Sequence, residues 1–550
     1  MEISNMRSYA HCLLFVLILA AGISLAKIPA HAAGNEIVGK TIESIIINGE
    51  SNIGSLDDDD RLIQVFTYYS DRSFKPIWVR DNGMKTKGRV LLNFLGEIEN
   101  HGLREFKYRL ADINALVGDP HPRALAELEM LLTSAFIDMA RDLTRGRVAP
   151  KDVTRDNNIK VRELGAAYLL DGAERAEDLL PYIQTLMPED KRYHRLVAKL
   201  KEYRAIAAAG GWTSIPPGKA LKPGKQDVRL PILREFLTTT GDMDPATRPV
   251  DDAYDQVTVA AVKKFQRRHG LTDDGVVGPT TLKQMNVPTA KRIRQLEVNL
   301  ERRRWLDREP GGFYVFANLA DQELKVVDNG KTVHTARLVV GKTYHKTPVF
   351  TEEMTYLVIN PYWNVPSSIA NKEYLPKLKK DAGYLQRQGI RVLNKSGKVV
   401  NPYSVNWGGM SRMPYRLRQD TGDKNALGRI KFMFPNKYNV YIHDTPSKSL
   451  FKKDLRVFSH GCMRVQDPTK LAEVILGKQN WTLNKIENQI ASGKRRIVKL
   501  KQKVPVYVTY ITAWVNKDGS TNFRRDIYGR DETLAEHLLT GGRFAEADNH

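Results

Sequence analysis

Cys462 stands in the string Ser459-His460-Gly461-Cys462-Met463-Arg464, and His443 lies nineteen residues before it. A cysteine nucleophile acts as its thiolate, and an imidazole within hydrogen-bond reach can take the proton, so this pair suits nucleophilic catalysis. The other cysteine of the 550-residue chain, Cys12, falls in an N-terminal segment built like a secretory leader. Arg7 gives a positive start, Cys12 to Leu25 is an apolar run, and Ala30-His31-Ala32 offers a cleavage site. Residues 1–33 are therefore expected to be a signal peptide and the remainder periplasmic, with uncleaved retention as an anchor the alternative. A mature chain with one thiol in an oxidising compartment has no internal disulfide partner for it. Gly461 and the polar Ser459-His460 pair also separate it from the inert cysteine of an apolar core.

His443 ends a strand-like run, Val440 to His443, and Cys462 follows a loop, so a sheet can bring the two together. His460 competes for the role of base, but in a tight His-Gly-Cys turn its side chain is expected to point away from the thiol. The backbone N–H groups of Gly461 and Cys462 could then stabilise an oxyanion. Zinc held by His443, His460 and Cys462 is the alternative, although a fourth ligand and any Cys-x-x-Cys pair are missing. The thiol chemistry itself needs no metal or organic cofactor.

The elements that must position these residues change in texture along the chain. Residues 34–215 show helical periodicity, as at Leu125, Leu128, Leu131, Leu132 and Phe136, and read as a helical scaffold with Pro76-Ile77-Trp78 as a core or docking element. A linker at Ile215-Pro216-Pro217-Gly218 precedes a three-helix unit over 225–288, with Val257, Ala261 and Phe265 on one apolar face. Residues 289–310 read as a basic linker helix with a solvated face. From Gly311 to about residue 500 short strand-like runs predict a mostly antiparallel sheet or barrel, with Asp328-Asn329-Gly330 as a hairpin turn. A Lys-, Gly-, Tyr- and Asn-rich insertion at about 367–413 is a candidate lid or substrate groove. The fold class is thus multidomain α+β, and 501–550 is expected to be an extension packing on the scaffold.

Two stretches resemble known families. Val262-Lys263-Lys264-Phe265-Gln266-Arg267-Arg268-His269-Gly270-Leu271, followed by Asp274-Gly275-Val276-Val277-Gly278-Pro279, resembles the three-helix peptidoglycan-binding domain, which implies cell-wall affinity. Tyr441-Ile442-His443-Asp444-Thr445-Pro446 with Ser459-His460-Gly461-Cys462-Met463-Arg464-Val465 resembles the active-site signature of the L,D-transpeptidases (YkuD-type). Val340-Gly341-Lys342 before Thr347-Pro348, Asn360-Pro361-Tyr362-Trp363 and Asn425-Ala426-Leu427-Gly428 agree with it, and with the helical scaffold, the three-helix unit and the tail Ile527-Tyr528-Gly529-Arg530 the chain resembles the large periplasmic Gram-negative subfamily. The resemblance implies Cys462 as nucleophile, His443 as base, the Asp444 carbonyl orienting the imidazole, and Gly461 and Cys462 N–H as the oxyanion hole. It also implies 3→3 cross-linking of peptidoglycan stem peptides, acylation of Cys462 by carbapenems, and no cofactor. Many members carry Asn where this chain has Arg464, though the large subfamily commonly has Arg, and its two readings are recognition of a stem-peptide carboxylate, for which a guanidinium suits bidentate binding, and a structural tie to the loop. Ser459, His460, Tyr441, Trp363, Tyr344 and Tyr362 are candidate substrate contacts, with aromatic core packing as the other reading of the aromatic ones.

The formal charge of +22 suggests an anionic partner. Export argues against nucleic acid, and the basic residues are dispersed among acids, as on a solvated surface. Expected partners are stem peptides, a tetrapeptide donor and a diaminopimelate acceptor, with wall-synthesis or outer-membrane proteins as others, and the chain is expected to be a monomer. Attachment of an outer-membrane protein to the wall, L,D-carboxypeptidase action and non-catalytic wall binding are the competing functions.

Overall fold

The computed structural model describes residues 30–48, 59–249, 251–306 and 311–540. The expected signal peptide lies outside the described residues up to residue 29. Among the described residues no helix is long and apolar enough to cross a membrane. The chain divides into two compact units. One gathers the residues up to Phe94, Phe106–Asp138 and Gly165–Leu180; the other gathers Leu95–Glu105, Met139–Leu164 and the chain from Pro181. Residues 34–215, read as one scaffold, are therefore shared between two units.

In the first unit, the part of helix α1 (Pro122–Arg145) up to Asp138 buries Leu125, Leu128, Leu131, Leu132 and Phe136 along one stripe. Pro76-Ile77-Trp78 is a core element. The Glu129 carboxylate accepts the amides of Ile77 (2.5 Å), Trp78 (2.8 Å) and Val79 (3.0 Å) and the Tyr69 hydroxyl (2.7 Å). Four donors around one buried carboxylate offset the cost of removing it from water.

In the second unit, α2 (Leu230–Thr239), α3 (Gln256–Arg268) and α4 (Pro279–Met285) close over Phe236, Leu237, Val262, Phe265 and Met285. The Asp255 carboxylate caps α3 by accepting the Thr258 amide at 3.0 Å. The inward stripe of α3 is Thr258, Val259, Ala261, Val262 and Phe265, whereas Val257, expected on it, is 40% exposed. Ile215 and Leu221 of the supposed linker enter this core.

The next helix, α5 (Thr289–Trp305), departs furthest from expectation. Arg292, Glu297, Glu301, Arg302, Arg303 and Arg304 are all buried. Glu301 pairs with Arg304 (2.8 Å) and accepts the Val148 amide (2.7 Å), Arg104 and Arg204 each reach Glu297 (2.8 Å), and Arg302 meets Asp531 (2.5 Å). A basic run reads as solvated when its counter-charges are sought nearby on the same helix; here several come from distant segments.

The β-rich part runs β1 (Phe313–Asn318), β2 (Glu323–Asp328), β3 (Lys331–Gly341), β4 (Val349–Ile359), then β5 (Trp363–Asn364), β6 (Ile390–Leu393), β7 (Val399–Val400), β8 (Arg416–Gln419), then β9 (Ile430–Met433), β10 (Ile442–His443), β11 (Val457–Ser459), β12 (Met463–Val465) and β13 (Arg496–Thr509). Pairing follows β9-β10-β12-β3-β2-β1-β13-β4, and β4 pairs again with β9, closing a ring. Antiparallel pairs predominate; β10 with β12 and β1 with β13 are parallel. The β2–β3 turn has positive φ at Asn329 (46°) and Gly330 (76°), as an Asn-Gly hairpin turn requires. Val315, Leu324, Leu338, Leu357, Phe432, Ile442 and Met463 fill the interior.

Strands β5 to β8 form a separate four-stranded sheet over its own core of Leu375, Leu378, Leu385, Trp407 and Leu417. Pairing of β5 with β8 makes this unit span 363–419, wider than the insertion read from composition. At the other end, β13 lies between β1 and β4, so the β-domain continues to Thr509 rather than ending near residue 500. The extension is confined to the chain after Thr509; its helix α6 (Arg530–Thr540) packs Leu534 and Leu538 with Val148, Val153, Val298 and Trp305.

Candidate active site

Strand register gathers the site. Lys431 on β9 is the partner of His443 on β10, and His443 is the partner of Arg464 on β12, so the three stand in one row across the barrel wall. His443 is 5% exposed, and its Nδ1 lies 2.5 Å from the Asp444 carbonyl oxygen. That acceptor places the proton on Nδ1 and leaves Nε2 as the proton-accepting nitrogen. Burial, then the charges of Arg464 and Lys431, hold the imidazole pKa down at about 3. The Asp444 carboxylate is occupied elsewhere, accepting the amides of Arg429 (2.8 Å) and Thr445 (2.7 Å) and pairing with Lys448.

Cys462 is half-buried and free of any disulfide. Its Sγ lies 3.9 Å from the Asn439 carbonyl and makes no hydrogen bond with His443. Burial pushes its thiol pKa up, against contacts from Tyr441 and the charges of Lys431 and Arg464. The site at rest is thus a neutral thiol beside a neutral imidazole.

The turn that carries the thiol is tied by neighbours. Ser459 Oγ donates to the Cys462 carbonyl (2.5 Å) and accepts the Gly461 amide (3.1 Å). The Gly461 N–H, expected as an oxyanion donor, is therefore engaged by Ser459, leaving Cys462 N–H as the other named donor. Gly461 has φ +113°, a conformation that side chains resist. The buried Thr347 hydroxyl donates to the Gly461 carbonyl (2.9 Å) and accepts the Gly341 amide (2.9 Å). Tyr528 donates to the Gly341 carbonyl (2.7 Å) and Arg530 to that of Thr347 (3.3 Å). A Cβ at Gly341 would collide with the His345 carbonyl. The Val340-Gly341-Lys342, Thr347-Pro348 and Tyr528-Gly529-Arg530 strings thus meet in one brace behind the Cys462 turn.

His460 turns away from the thiol: its Nε2 is 2.6 Å from Glu373 of the 363–419 unit, and its ring is 5.1 Å from that of His345. The three residues of the zinc alternative are therefore not gathered, and among the described residues no group of three or more His, Cys, Asp or Glu could hold a metal ion. Tyr441 packs edge-on to His443 at 5.6 Å, with Lys431 Nζ 3.7 Å over its ring. Trp363 is half-buried against Tyr374 (6.4 Å) in the core of the 363–419 unit, Tyr344 is 71% exposed, and Tyr362 lies under Arg418 at 4.7 Å. Arg464 Nε is buried without a hydrogen-bond partner among the described residues. Neither Lys431 nor Thr347 is part of the Cys-His signature: pairing of β9 with β10 brings the first to His443, and the Thr347-Pro348 string carries the second to the Gly461 carbonyl.

Comparison with known proteins places this arrangement. Residues 312–508 match the model of the L,D-transpeptidase catalytic domain (YkuD). The chain carries an L,D-transpeptidase catalytic domain. Residues 64–200 match a Scaffold domain and 232–285 the "Putative peptidoglycan binding domain". A protein of Haemophilus influenzae named "Putative L,D-transpeptidase" is 34% identical over 254 residues, 46% of this chain and 51% of that protein, so the match spans about half of its length. Among solved structures, an L,D-transpeptidase from Stackebrandtia nassauensis is 16% identical (TM-score 0.21), covering 53% of this chain and 96% of that one. Another, from Xylanimonas cellulosilytica, is also 16% identical (TM-score 0.18), covering 53% of this chain and 98% of that one. Scores this low carry no structural inference. The L,D-transpeptidase match ends within β13, in keeping with the strand's place inside the barrel.

Proposed function

We propose that this L,D-transpeptidase domain joins peptidoglycan stem peptides by 3→3 cross-links through a thioester on Cys462. The observation that supports this most is the His443 imidazole, fixed through Nδ1 on the Asp444 carbonyl, in the same strand row as Arg464, whose Nε has no hydrogen-bond partner among the described residues, with Cys462 at the entry of the strand β12 that pairs with β10. In the first half-reaction the Cys462 proton passes to His443 Nε2 as Sγ attacks the carbonyl of the third stem residue. That proton then leaves with the amine of the departing D-Ala, and the thioester remains. In the second, the side-chain amine of another stem attacks the thioester, gives its proton to His443, and the thiol is restored. Arg464 would receive a substrate carboxylate.

Since no thiol–imidazole hydrogen bond exists at rest, the Cys462 side chain must swing from Asn439 toward His443 when substrate binds; hydrogen bonds at resting sites are commonly long or misaligned. The peptidoglycan-binding body at about 225–288 would hold the enzyme on the wall, and 363–419 would form the lid. The test is incubation of the purified chain, cut after the leader, with a diaminopimelate-containing disaccharide-tetrapeptide. The expected product by mass spectrometry is a dimer lighter by one D-Ala, absent with Cys462→Ala. Tripeptide alone would replace this reading with L,D-carboxypeptidase action, and no turnover with stem peptide would overturn it in favour of a protein acceptor or of wall binding.

A further inference from the structure

Lys431 is a half-buried cation without a counter-charge. It stands in β9 opposite His443, and neither it nor Arg464 forms an ion pair among the described residues. Removing an ammonium from water without an anion is costly. The Tyr441 ring face, 3.7 Å from Nζ, offsets part of that cost and fixes where the ammonium sits. Around this point stand His443 on β10 and Arg464 on β12 in the same strand row, Tyr441 just before β10, and Cys462, whose neighbour Met463 donates its amide to the Tyr441 carbonyl (3.1 Å); the charges of Arg495 and Cys462 are felt by the Lys431 ammonium. Cys462 is the one among them that becomes an anion during thiol chemistry.

We propose that Lys431 is a positioning residue for the nucleophile, the cation that, together with Arg464, stabilises the Cys462 thiolate once its proton has passed to His443 Nε2. The proposal rests on the thioester reading above and deepens it. It divides the labour differently from a simple thiol–imidazole pair. His443 is flanked by two cations, so an imidazolium there is short-lived and passes its proton on to the departing amine. The thiolate is favoured by those same two cations. Tyr441 serves as the shelf that keeps the Lys431 ammonium in place.

The test reads the thiolate directly and needs no peptidoglycan. The purified wild type, K431M and K431R are alkylated with iodoacetamide over a range of pH, with intact mass as readout, Cys462→Ala as blank and thermal melts to establish folding. K431M is expected to shift the alkylation midpoint upward by about one pH unit and to slow alkylation at neutral pH about tenfold. K431R is expected to keep the wild-type midpoint. A wild-type midpoint in K431M overturns the proposal, as does an equal shift in K431R, which would mean that packing rather than charge is responsible. If K431M does not fold, K431Q is read by the same outcomes. A normal cross-linking assay with an unchanged alkylation profile sinks the role of Lys431 alone, whereas absent cross-linking with the expected alkylation shift sinks only the reaction.

Discussion

At the scale of single residues, His443, the proposed base, combines two properties usually opposed in such a group: its ring is tied to the Asp444 carbonyl, and it stays neutral far into acid. Its pKa near 3 lies below that of an ordinary imidazole because burial and the flanking cations disfavour the charged form. The folded state therefore prefers the neutral ring, and the stability this gives is present above about pH 6.5 and is lost as the pH falls toward 3. Catalysis that needs neutral His443 should accordingly show no inflection near pH 6.5 in kcat/KM, whereas Arg464→Gln should bring an acid limb up toward that range. A wild-type step near 6.5 would mean that the ring is solvated in the working enzyme. His443→Ala should abolish cross-linking and His460→Ala leave a measurable rate, since His460 faces Glu373. The Cys462 and His443 pair stands out in one stretch of chain, whereas the contact of His443 with the Asp444 carbonyl was expected only from the family resemblance. Lys431 was not, because it joins the site through strand pairing, which no local pattern encodes. The Gly461 amide was misjudged because Ser459 Oγ can curl back onto it, a contact decided by turn geometry.

At the scale of elements, the three-helix body and the hairpin at Asp328-Asn329-Gly330 follow from local signals: caps, turn residues and apolar periodicity. The α5 helix does not, because its sequence supports a solvated surface equally well until Asp531, Val148 and Arg104 are brought to it. The ring closure of β4 on β9, and the passage of β13 between β1 and β4, are long-range facts of the same kind. The buried Glu301–Arg304 pair gives the sharpest test of the helix's buried setting. Glu301→Gln keeps the volume but leaves the Arg304 guanidinium without its carboxylate in a site closed to water. Breaking one partner of such a pair costs about 3 to 5 kcal/mol. A fall in thermal midpoint of several degrees is expected by calorimetry. A change of less than a degree would mean that α5 is solvated after all, as its sequence alone implies.

At the scale of the whole molecule, the positive charge is unevenly spread rather than dispersed along the chain. Residues 363–419 hold eleven Lys and Arg against Glu373 and Asp381, a net +9 of the chain's +22. Arg302, Arg303 and Arg304 of α5, by contrast, are buried and paired with Asp531, Asp190 and Glu301. Within the 363–419 unit, Lys372, Lys379, Lys380, Lys395, Lys398 and Arg412 are exposed and belong to no ion pair among the described residues. An exposed cationic surface attracts an anionic polymer over a Debye length of about 10 Å in moderate salt, and that attraction weakens as salt rises. Cosedimentation with purified sacculi should therefore fall with added salt. Replacing Lys379, Lys380, Lys395 and Lys398 by Gln should flatten that dependence without altering the thermal midpoint, because none of the four is buried. If the variant keeps the wild-type salt slope, the lid charge only solvates the surface. Wall affinity would then rest on the three-helix body, and deleting the lid lysines would leave cross-linking of soluble stems and of sacculi equally unaffected.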